Sequence, residues 1–343
     1  MSILDTLKPE FSSAFPRLAS GKYVHFLMVR HSQSFPVFQT DGVLNTARTY
    51  AGLETKEPIS RLVMFKRKQV SPERLVGREL LRSLDLINSE EKNAQNFCRY
   101  GGELFCGKCP DCVLYGFAVG ESGSERSKVY SDSAFSLSPY ENSHRSFSFN
   151  ALSEAGTMLR DSDDPKRTET NKTRSSINEL DHVLPEIIFP TVESLRDATY
   201  EGFIYVLGNL LRTRRYGAQE SRTGTMANHV VGIVFTDGEI FSNLHFTQAL
   251  YDALKPDLNA PISDIQAKAT TVAEQLLNKE PVRKKQVIVG SQLAGLLEEV
   301  AGIYQDETKL GNTLTALYQQ TQSYAETYGA IAGKKSKKSK PKS

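Results

Sequence analysis

The sequence predicts a mixed α+β fold with a helical C-terminal part, and three stretches carry that expectation. Residues 22–30, KYVHFLMVR, form a short apolar run rich in β-branched and aromatic residues, which reads as a buried strand. Residues 199–215, TYEGFIYVLGNLLRTRR, place Tyr200, Phe203, Ile204, Leu207, Leu210 and Leu211 on one face at helical spacing. Gly217 supplies a stop after that helix. Beyond Leu244 the patterns are helical almost throughout, in TQALYDAL, SDIQAKATTVAEQLL, SQLAGLLEEVAGIY and TLTALYQQTQSYAETYG.

The remaining elements follow from turn and cap chemistry. HSQSFPVFQTDGVLNTAR, residues 31–48, is polar and turn-rich, and its Asp41-Gly42 pair suits a functional loop or a hairpin. SPERLVGRELLRSLDLI reads as a helix that starts with Ser71 as N-cap and Pro72 in its first position. SKVYSDSAFSLSP has strand composition. Residues 150–185 are long, polar and short of large apolar side chains, so they are expected to project as a loop or flexible hairpin. HVVGIVFT and EIFSN, joined by Asp237-Gly238, read as a second hairpin.

Composition excludes several classes of function. At 343 residues, 39% hydrophobic and 24% charged, the chain has the material for a large core. It contains no run of apolar residues long enough to span a bilayer, and the start MSILDTLKPEFSSAF lacks a signal-peptide pattern, so a cytoplasmic location is expected. The formal net charge of +2 misleads: the tail GKKSKKSKPKS carries six lysines and no acid, which leaves the rest of the chain at −4. The tail, 331–343, reads as a solvated, disordered charge run. Any nucleic-acid surface must therefore come from local clusters of arginine and lysine rather than from overall charge.

All four cysteines, Cys98, Cys106, Cys109 and Cys112, fall within CRYGGELFCGKCPDC, spaced C-x7-C-x2-C-x2-C. Three readings compete: a structural zinc site, a redox dithiol and a buried thiol cluster. Disulfides suit an exported chain, and a redox dithiol needs one C-x-x-C opening a helix in a βαβ unit. The glycine-punctuated loop with overlapping pairs fits structural Zn²⁺ best, its coordination closed by four protein ligands and therefore not catalytic. His144 is the alternative ligand to one cysteine, and as a lone histidine in ENSHRSFSF it reads as a surface or turn residue.

RTRRYGAQESRTG, residues 212–224, gathers Arg212, Arg214, Arg215 and Arg222 around glycines, with Tyr216 and Gln219 among them. Guanidinium groups grip phosphates and an aromatic ring stacks on a base. Four arginines at a helix end also serve as a solvated terminus compensating the helix dipole, and the residues alone leave both readings open.

Two stretches carry a family resemblance. CGKCPDCVLYGFAVGESGSERSKVYSDSAFSL runs from a cysteine pair through Leu-Tyr-Gly to a basic strand ending in Asp-Ser-Ala, and FPTVESLRDATYEGFIYVLGNLLRTRRYGAQESRTG supplies strand, helix and glycine-rich loop. With VMFKRKQVSPERLVGRELLR and the chain length, they resemble the backbone subunits of CRISPR effector complexes, within the repeat-associated RNA-binding (RAMP) superfamily, and most of all the type I-D Cascade backbone. The resemblance spans about residues 20–300.

It implies a modified RRM or ferredoxin-like core, discontinuous over 1–96 and 126–244, with a zinc-binding insertion at 97–125, a thumb-like projection at 150–185 and a helical region at 245–330. The 31–50 loop could share the thumb's task. The implied function is to polymerise along a guide RNA (crRNA) with other Cascade subunits, forming a homo-oligomeric filament that presents the guide to target DNA, with RNA as a second target class. No membrane partner is expected. Candidate RNA contacts are the loop residues above together with Arg30, Arg48, Arg126 and Lys128. No enzymatic activity is expected. In RNA-cleaving type III relatives a loop aspartate after the first strand cuts the target, and Asp41 stands in a broadly similar place, so a metal-dependent endonuclease is the alternative. A zinc-ribbon transcription regulator ranks below both, since no recognition helix is evident.

Overall fold

The apolar run at 22–30 forms β1 (Tyr23–Ser32), the central strand of a five-stranded antiparallel sheet. The computed structural model describes residues 2–329 apart from 91, 93, 121–122, 151–176 and 218–220. Ahead of β1, the short helix α1 (Ile3–Leu7) is held by Glu299, which accepts from the Ile3 and Leu4 amides at 2.8 Å each. After β1, Asp41 and Gly42 occupy the two turn positions between β2 (Gln39–Thr40) and β3 (Val43–Leu44), with φ of 55° and 83°. An Asp-Gly pair tolerates those angles, so the hairpin expected at 31–48 is present. β4 (Thr46–Tyr50) and β5 (Pro58–Met64) pair as a separate ribbon.

The next helix corrects one expectation. α2 (Lys66–Ser83) begins directly after β5, so Pro72 lies inside it and Ser71 is not its cap. Pro72 has no N–H to give to the Lys68 carbonyl one turn back. That carbonyl instead accepts from the Gly217 amide at 3.2 Å, so the irregularity is used as a tertiary contact.

The cysteine segment leads into α3 (Pro110–Tyr115), β6 (Phe117–Val119) and β7 (Gly123–Glu125). Gly116 ends α3 at φ 73°, and a Cβ there would stand 2.6 Å from both the Glu125 carbonyl oxygen and the Ser127 amide nitrogen. The stretch SKVYSDSAF then yields β8 (Val129–Ser131) and β9 (Ala134–Phe135), the latter added to β5. β10 (His144–Asn150) and β11 (Ile177–Val183) form an antiparallel ribbon. Most of the projection expected at 150–185 lies outside the described residues; β11 belongs to its described end.

β12 (Ile188–Arg196), α4 (Tyr200–Arg212) and β13 (Met226–Thr236) follow. α4 is capped by the Thr199 hydroxyl and ends at Thr213, which turns extended, so Gly217 is not its stop. The hairpin expected after β13 is absent: Asp237-Gly238 leads through 239–242 into α5 (Asn243–Leu254), and β13 pairs with β1 and β14 instead. α6 (Ile262–Leu277), β14 (Lys284–Ile288), α7 (Gly290–Gln305) and α8 (Glu307–Tyr328) complete the described chain. The helical C-terminal part is thus interrupted by an edge strand whose short KKQVI pattern gave no signal.

The main sheet has the order β14-β13-β1-β12-β8. The run β1, α2, β8, β12, α4, β13 follows the β-α-β-β-α-β path of ferredoxin-like folds, with β14 added at one edge. Alternation along β1 sends Val24, Phe26 and Met28 to the face covered by α4 and α7, and Leu27 and Val29 to the face covered by α5 and α6. Both faces are therefore buried. The cysteine segment belongs to the first of these cores, because Cys98, Cys109, Cys112, Val113 and Leu114 share it with Phe203 and Leu207. A smaller core gathers Phe38, Leu62, Phe189 and Tyr216 beside the β2–β3 hairpin.

His25 illustrates what the two-sided burial costs. Its Nδ1 lies 2.6 Å from the Ser194 hydroxyl and its Nε2 2.9 Å from that of Thr236, and burial lowers its pKa to about 4. The unfolded chain takes up this proton near pH 6.5 and the native state does so only near 4, so the associated stability is complete above 6.5 and lost as pH falls through that window. We expect the melting temperature to fall from pH 6.5 toward 4, and His25→Gln to remove that part of the slope; an unaltered slope in the variant would assign it to other groups.

Candidate nucleic-acid interface and metal centre

The loop that follows α4 is fixed from within. The Met226 amide donates to the Arg214 carbonyl at 2.7 Å, the Thr223 hydroxyl donates to the Tyr216 carbonyl at 2.8 Å, and the Val37 amide donates to the Thr223 hydroxyl at 3.0 Å. Gly217, at φ 105°, lies so close to the Val37 carbonyl that a Cβ there would collide with it. With the backbone held, Arg212, Arg214, Arg215 and Arg222 are presented to solvent. Arg215 also donates to the Thr223 carbonyl at 2.6 Å, and the Arg212 guanidinium lies 5.7 Å from the centre of the Tyr304 ring. Gln219 lies outside the described residues.

Tyr216 is not a stacking surface. Its side chain is buried, its hydroxyl donates to Glu73 Oε1 at 3.0 Å and accepts from Asn228 Nδ2 at 2.6 Å. Arg30 is likewise unavailable to RNA: its Nη1 donates to Glu73 Oε1 at 2.7 Å, its Nη2 to Glu193 Oε2 at 3.3 Å, and its guanidinium stands 4.7 Å from the Tyr216 ring centre. An arginine at a strand end and a tyrosine in a basic loop look like ligand contacts in sequence; here they meet in the interior. Lys128 is also enclosed, donating to the Val113 carbonyl and to Glu125 at 3.0 Å each. Arg48 on β4 and Arg126 beyond β7 are exposed, on elements separate from the loop.

One cation faces two carboxylates in this interior. Burial, then repulsion from Glu73, raises the Glu193 pKa well above the carboxylate range, so Glu193 retains its proton. Glu73 Oε2 and Glu193 Oε1 are both buried without a hydrogen-bond partner. The charge then balances against Arg30. Because the native carboxyl holds its proton above the unfolded pKa, this contribution is complete at acid pH and lost as pH rises through the folded value. Glu193→Gln should therefore flatten the fall in melting temperature as pH rises from about 4.5, while retaining the fold.

The four cysteine sulfurs converge. All lie within 4.8 Å of one another, with Cys98–Cys112 at 3.6 Å, Cys98–Cys109 at 3.8 Å and Cys106–Cys112 at 3.9 Å. Tetrahedral zinc with Zn–S near 2.3 Å has sulfur–sulfur edges of about 3.8 Å, so the donor set and its spacing fit such an ion. Amides of Cys106, Lys108 and Cys109 point at Cys98 or Cys106 sulfur at 3.3–3.5 Å. Hydrogen bonds from the neighbouring thiols and the nearby Arg78 guanidinium lower the Cys98 pKa, whereas burial raises that of Cys109. His144 is engaged elsewhere, its Nδ1 2.8 Å from the Tyr140 carbonyl and its ring stacked on Tyr140.

Sequence reasoning missed the groups around this cluster. Arg78 contacts Cys98 Sγ at 3.5 Å and Asp111 Oδ2 at 2.7 Å, and Arg74 grips Asp111 through two bonds of 2.9 and 2.8 Å. Arg74 and Arg78 are one turn apart on α2, and Asp111 lies inside the last C-x-x-C; that i, i+4 spacing was the available signal. Arg74, Arg78 and Asp111 together carry one net positive charge beside the sulfurs, and Arg78 is the one that reaches Cys98 Sγ.

Asp41 remains a turn residue, exposed at the tip of the β2–β3 hairpin. Among the described residues, the four cysteines are the only group of three or more histidine, cysteine or acidic side chains placed to hold a metal. Metal analysis of the purified chain should find about one ion, and Cys109→Ser should lower both metal content and melting temperature together. A well-folded, metal-free wild type would contradict this.

No helix among the described residues is long and apolar enough to cross a membrane. No curated protein matches the chain. Among solved structures it is similar to Thermofilum pendens Csc2, at 14% identity and a TM-score of 0.65, over 99% of this chain and 100% of that one. A chain of a CRISPR RNA-guided surveillance complex matches at 14% identity and a TM-score of 0.47, over 82% of this chain and 99% of that one. A family model described as Csc2 Crispr matches residues 10–314, and the chain therefore belongs to the Csc2 CRISPR family.

Proposed function

We propose that this protein is the guide-RNA-binding backbone subunit of a type I-D CRISPR interference complex. It polymerises along the crRNA in the cytoplasm with other Cascade subunits and presents the guide to target DNA, with RNA as a second target class. The observation that carries this reading is family membership over 305 residues, 10–314. The loop geometry supports it: four exposed guanidinium groups stand on a backbone already hydrogen-bonded, and Arg214 and Arg222, with no side-chain partner among the described residues, remain for phosphates. The cysteine cluster holds structural zinc, closed by four thiolates, and couples metal binding to the fold. The segment at 150–185 acts as the thumb.

The subunit holds and presents nucleic acid, and cutting belongs to a partner. An endonuclease centred on Asp41 would need further carboxylates to hold Mg²⁺ about a scissile phosphate, and among the described residues Asp41 belongs to no group of three or more metal-ligating side chains.

Phosphate contacts are independent of sequence, so Arg214→Ala and Arg222→Ala should each weaken binding to any single-stranded RNA and lower the salt slope by about 0.7. Unchanged slopes in both would remove the loop from the interface. Incubating the guide-loaded complex with labelled RNA and DNA targets and Mg²⁺ should leave both intact; regular fragments lost in Asp41→Ala would establish the nuclease instead.

A further inference from the structure

The four cysteines are not equally reachable from solvent. Cys98, Cys109 and Cys112 are buried in the main core, whereas Cys106 is half-buried and follows a stretch in which Gly101, Gly102 and Glu103 are exposed. Gly101 and Gly102 stand at φ 99° and 57° with open space where a Cβ would lie, so those positions can move without displacing a neighbour. Cys112 is the third residue of α3, and Arg74 and Arg78 grip the residue before it, Asp111. A small oxidant in solution therefore meets Cys106 first.

Hydrogen bonds sort the sulfurs further. Cys98 Sγ receives Arg78 Nη1 and Nη2 at 3.5 Å and the Cys106 amide at 3.4 Å, and Cys106 Sγ receives the amides of Lys108 and Cys109 at 3.5 and 3.3 Å. Such bonds stabilise a thiolate and lower its nucleophilicity. Among the described residues no amide or guanidinium is directed at Cys112 Sγ, which stands 3.9 Å from Cys106 Sγ. Cys109 Sγ also lacks one, but its sulfur contact is with Cys98, at 3.8 Å. Access selects Cys106 for attack by an oxidant, and proximity with an unrestrained sulfur selects Cys112 to follow.

We propose that Cys106 and Cys112 form a reversible oxidation site, which hydrogen peroxide closes as a disulfide so that the cluster gives up its metal. The inference rests on the zinc reading of the cluster. The Cys106 thiolate attacks one peroxide oxygen; an S–O bond forms, the O–O bond breaks and hydroxide leaves, the sulfur being oxidised by two electrons and the peroxide reduced. The Cys112 thiolate then attacks the Cys106 sulfur; the S–S bond forms, the S–O bond breaks and a second hydroxide leaves. Two protons from solvent convert both hydroxides to water. Closing the gap to a bond of about 2.0 Å moves Cys106, on its glycine-hinged loop, toward the helix-borne Cys112. Cys98 and Cys109 then remain as two donors where structural zinc takes four. Both share a core with Phe203 and Leu207, so the loss is felt in the fold.

The test treats zinc-loaded full-length protein with rising hydrogen peroxide, follows released metal with 4-(2-pyridylazo)resorcinol and maps disulfides by non-reducing mass spectrometry. Cleavage after Lys108 and before Asp111 puts Cys106, Cys109 and Cys112 on separate peptides. About one zinc should appear per disulfide formed, the bridge should join Cys106 to Cys112, and the melting temperature should fall. Dithiothreitol with added zinc should restore both metal content and melting temperature. Cys106→His keeps a Cys₃His donor set of the kind that holds structural zinc, and should retain its metal at peroxide concentrations that empty the wild type. If that variant does not fold, the wild-type disulfide map decides alone. The proposal is overturned by a zinc-loaded wild type that releases none, by a first disulfide that omits Cys106 or Cys112, by metal loss that reduction does not reverse, or by a folded Cys106→His that empties as readily as the wild type. A chain purified without metal fails the zinc reading itself, before any oxidant is added, and the proposal falls with it.

Discussion

Glu73 is the buried carboxylate that joins the central strand to the root of the arginine loop. From the middle of α2 it accepts from Arg30 on the central strand and from Tyr216 at the root of the arginine loop, with all three side chains buried. Removing one partner of such a pair leaves an uncompensated buried charge, which costs on the order of 3–5 kcal/mol. The neighbouring residues of α2 extend the connection: Lys68 binds Gly217 through its carbonyl, and Arg74 and Arg78 hold Asp111 and Cys98. One helix therefore ties the sheet, the basic loop and the cysteine cluster together. A shift of α2 would move all three.

The covering of the sheet has a consequence for how such a fold can meet RNA. In RRM domains, bases stack on aromatic side chains of an open sheet face. Here α5 and α6 occupy one face, through Phe246, Leu250, Ile265 and Val272, while α4 and α7 occupy the other. No face is left as a platform. Any nucleic acid bound by such a fold would meet its loops, edges and clefts, and exposed basic groups stand there, among them those on the loop after α4, on the first turn of α2 and beyond β7.

Periodicity and spacing made much of this legible. β1 and α4 were readable because each is a long element with a strong pattern, and the cysteine cluster because four soft ligands have few other uses in so short a span. The Asp41-Gly42 hairpin was readable from turn chemistry. The start of α2 was misread because Ser-Pro is a strong local N-terminal signal; tertiary contact overrode it, with Gly217 taking the carbonyl that Pro72 left free. The same local logic gave Asp237-Gly238 a hairpin that pairing of β13 with β1 and β14 excludes. β14 escaped notice because an edge strand of five residues with two lysines has too little pattern to register.

Arginine was the least legible residue, for a chemical reason. The same planar fork that grips a phosphate also satisfies buried carboxylates and carbonyls. Arg30 is consumed by Glu73 and Glu193, Arg74 and Arg78 by Asp111, and Arg61 by the carbonyls of Ala51, Ser136 and Leu137. Arg214 and Arg222 differ in being exposed, on a loop whose backbone bonds are already made. Sequence neighbours do not separate the two groups, since Tyr216 sits one residue from Arg215 and points inward. What separates them is whether the protein has already satisfied the guanidinium, and a side chain it has left unsatisfied at the surface is the one free to bind a phosphate.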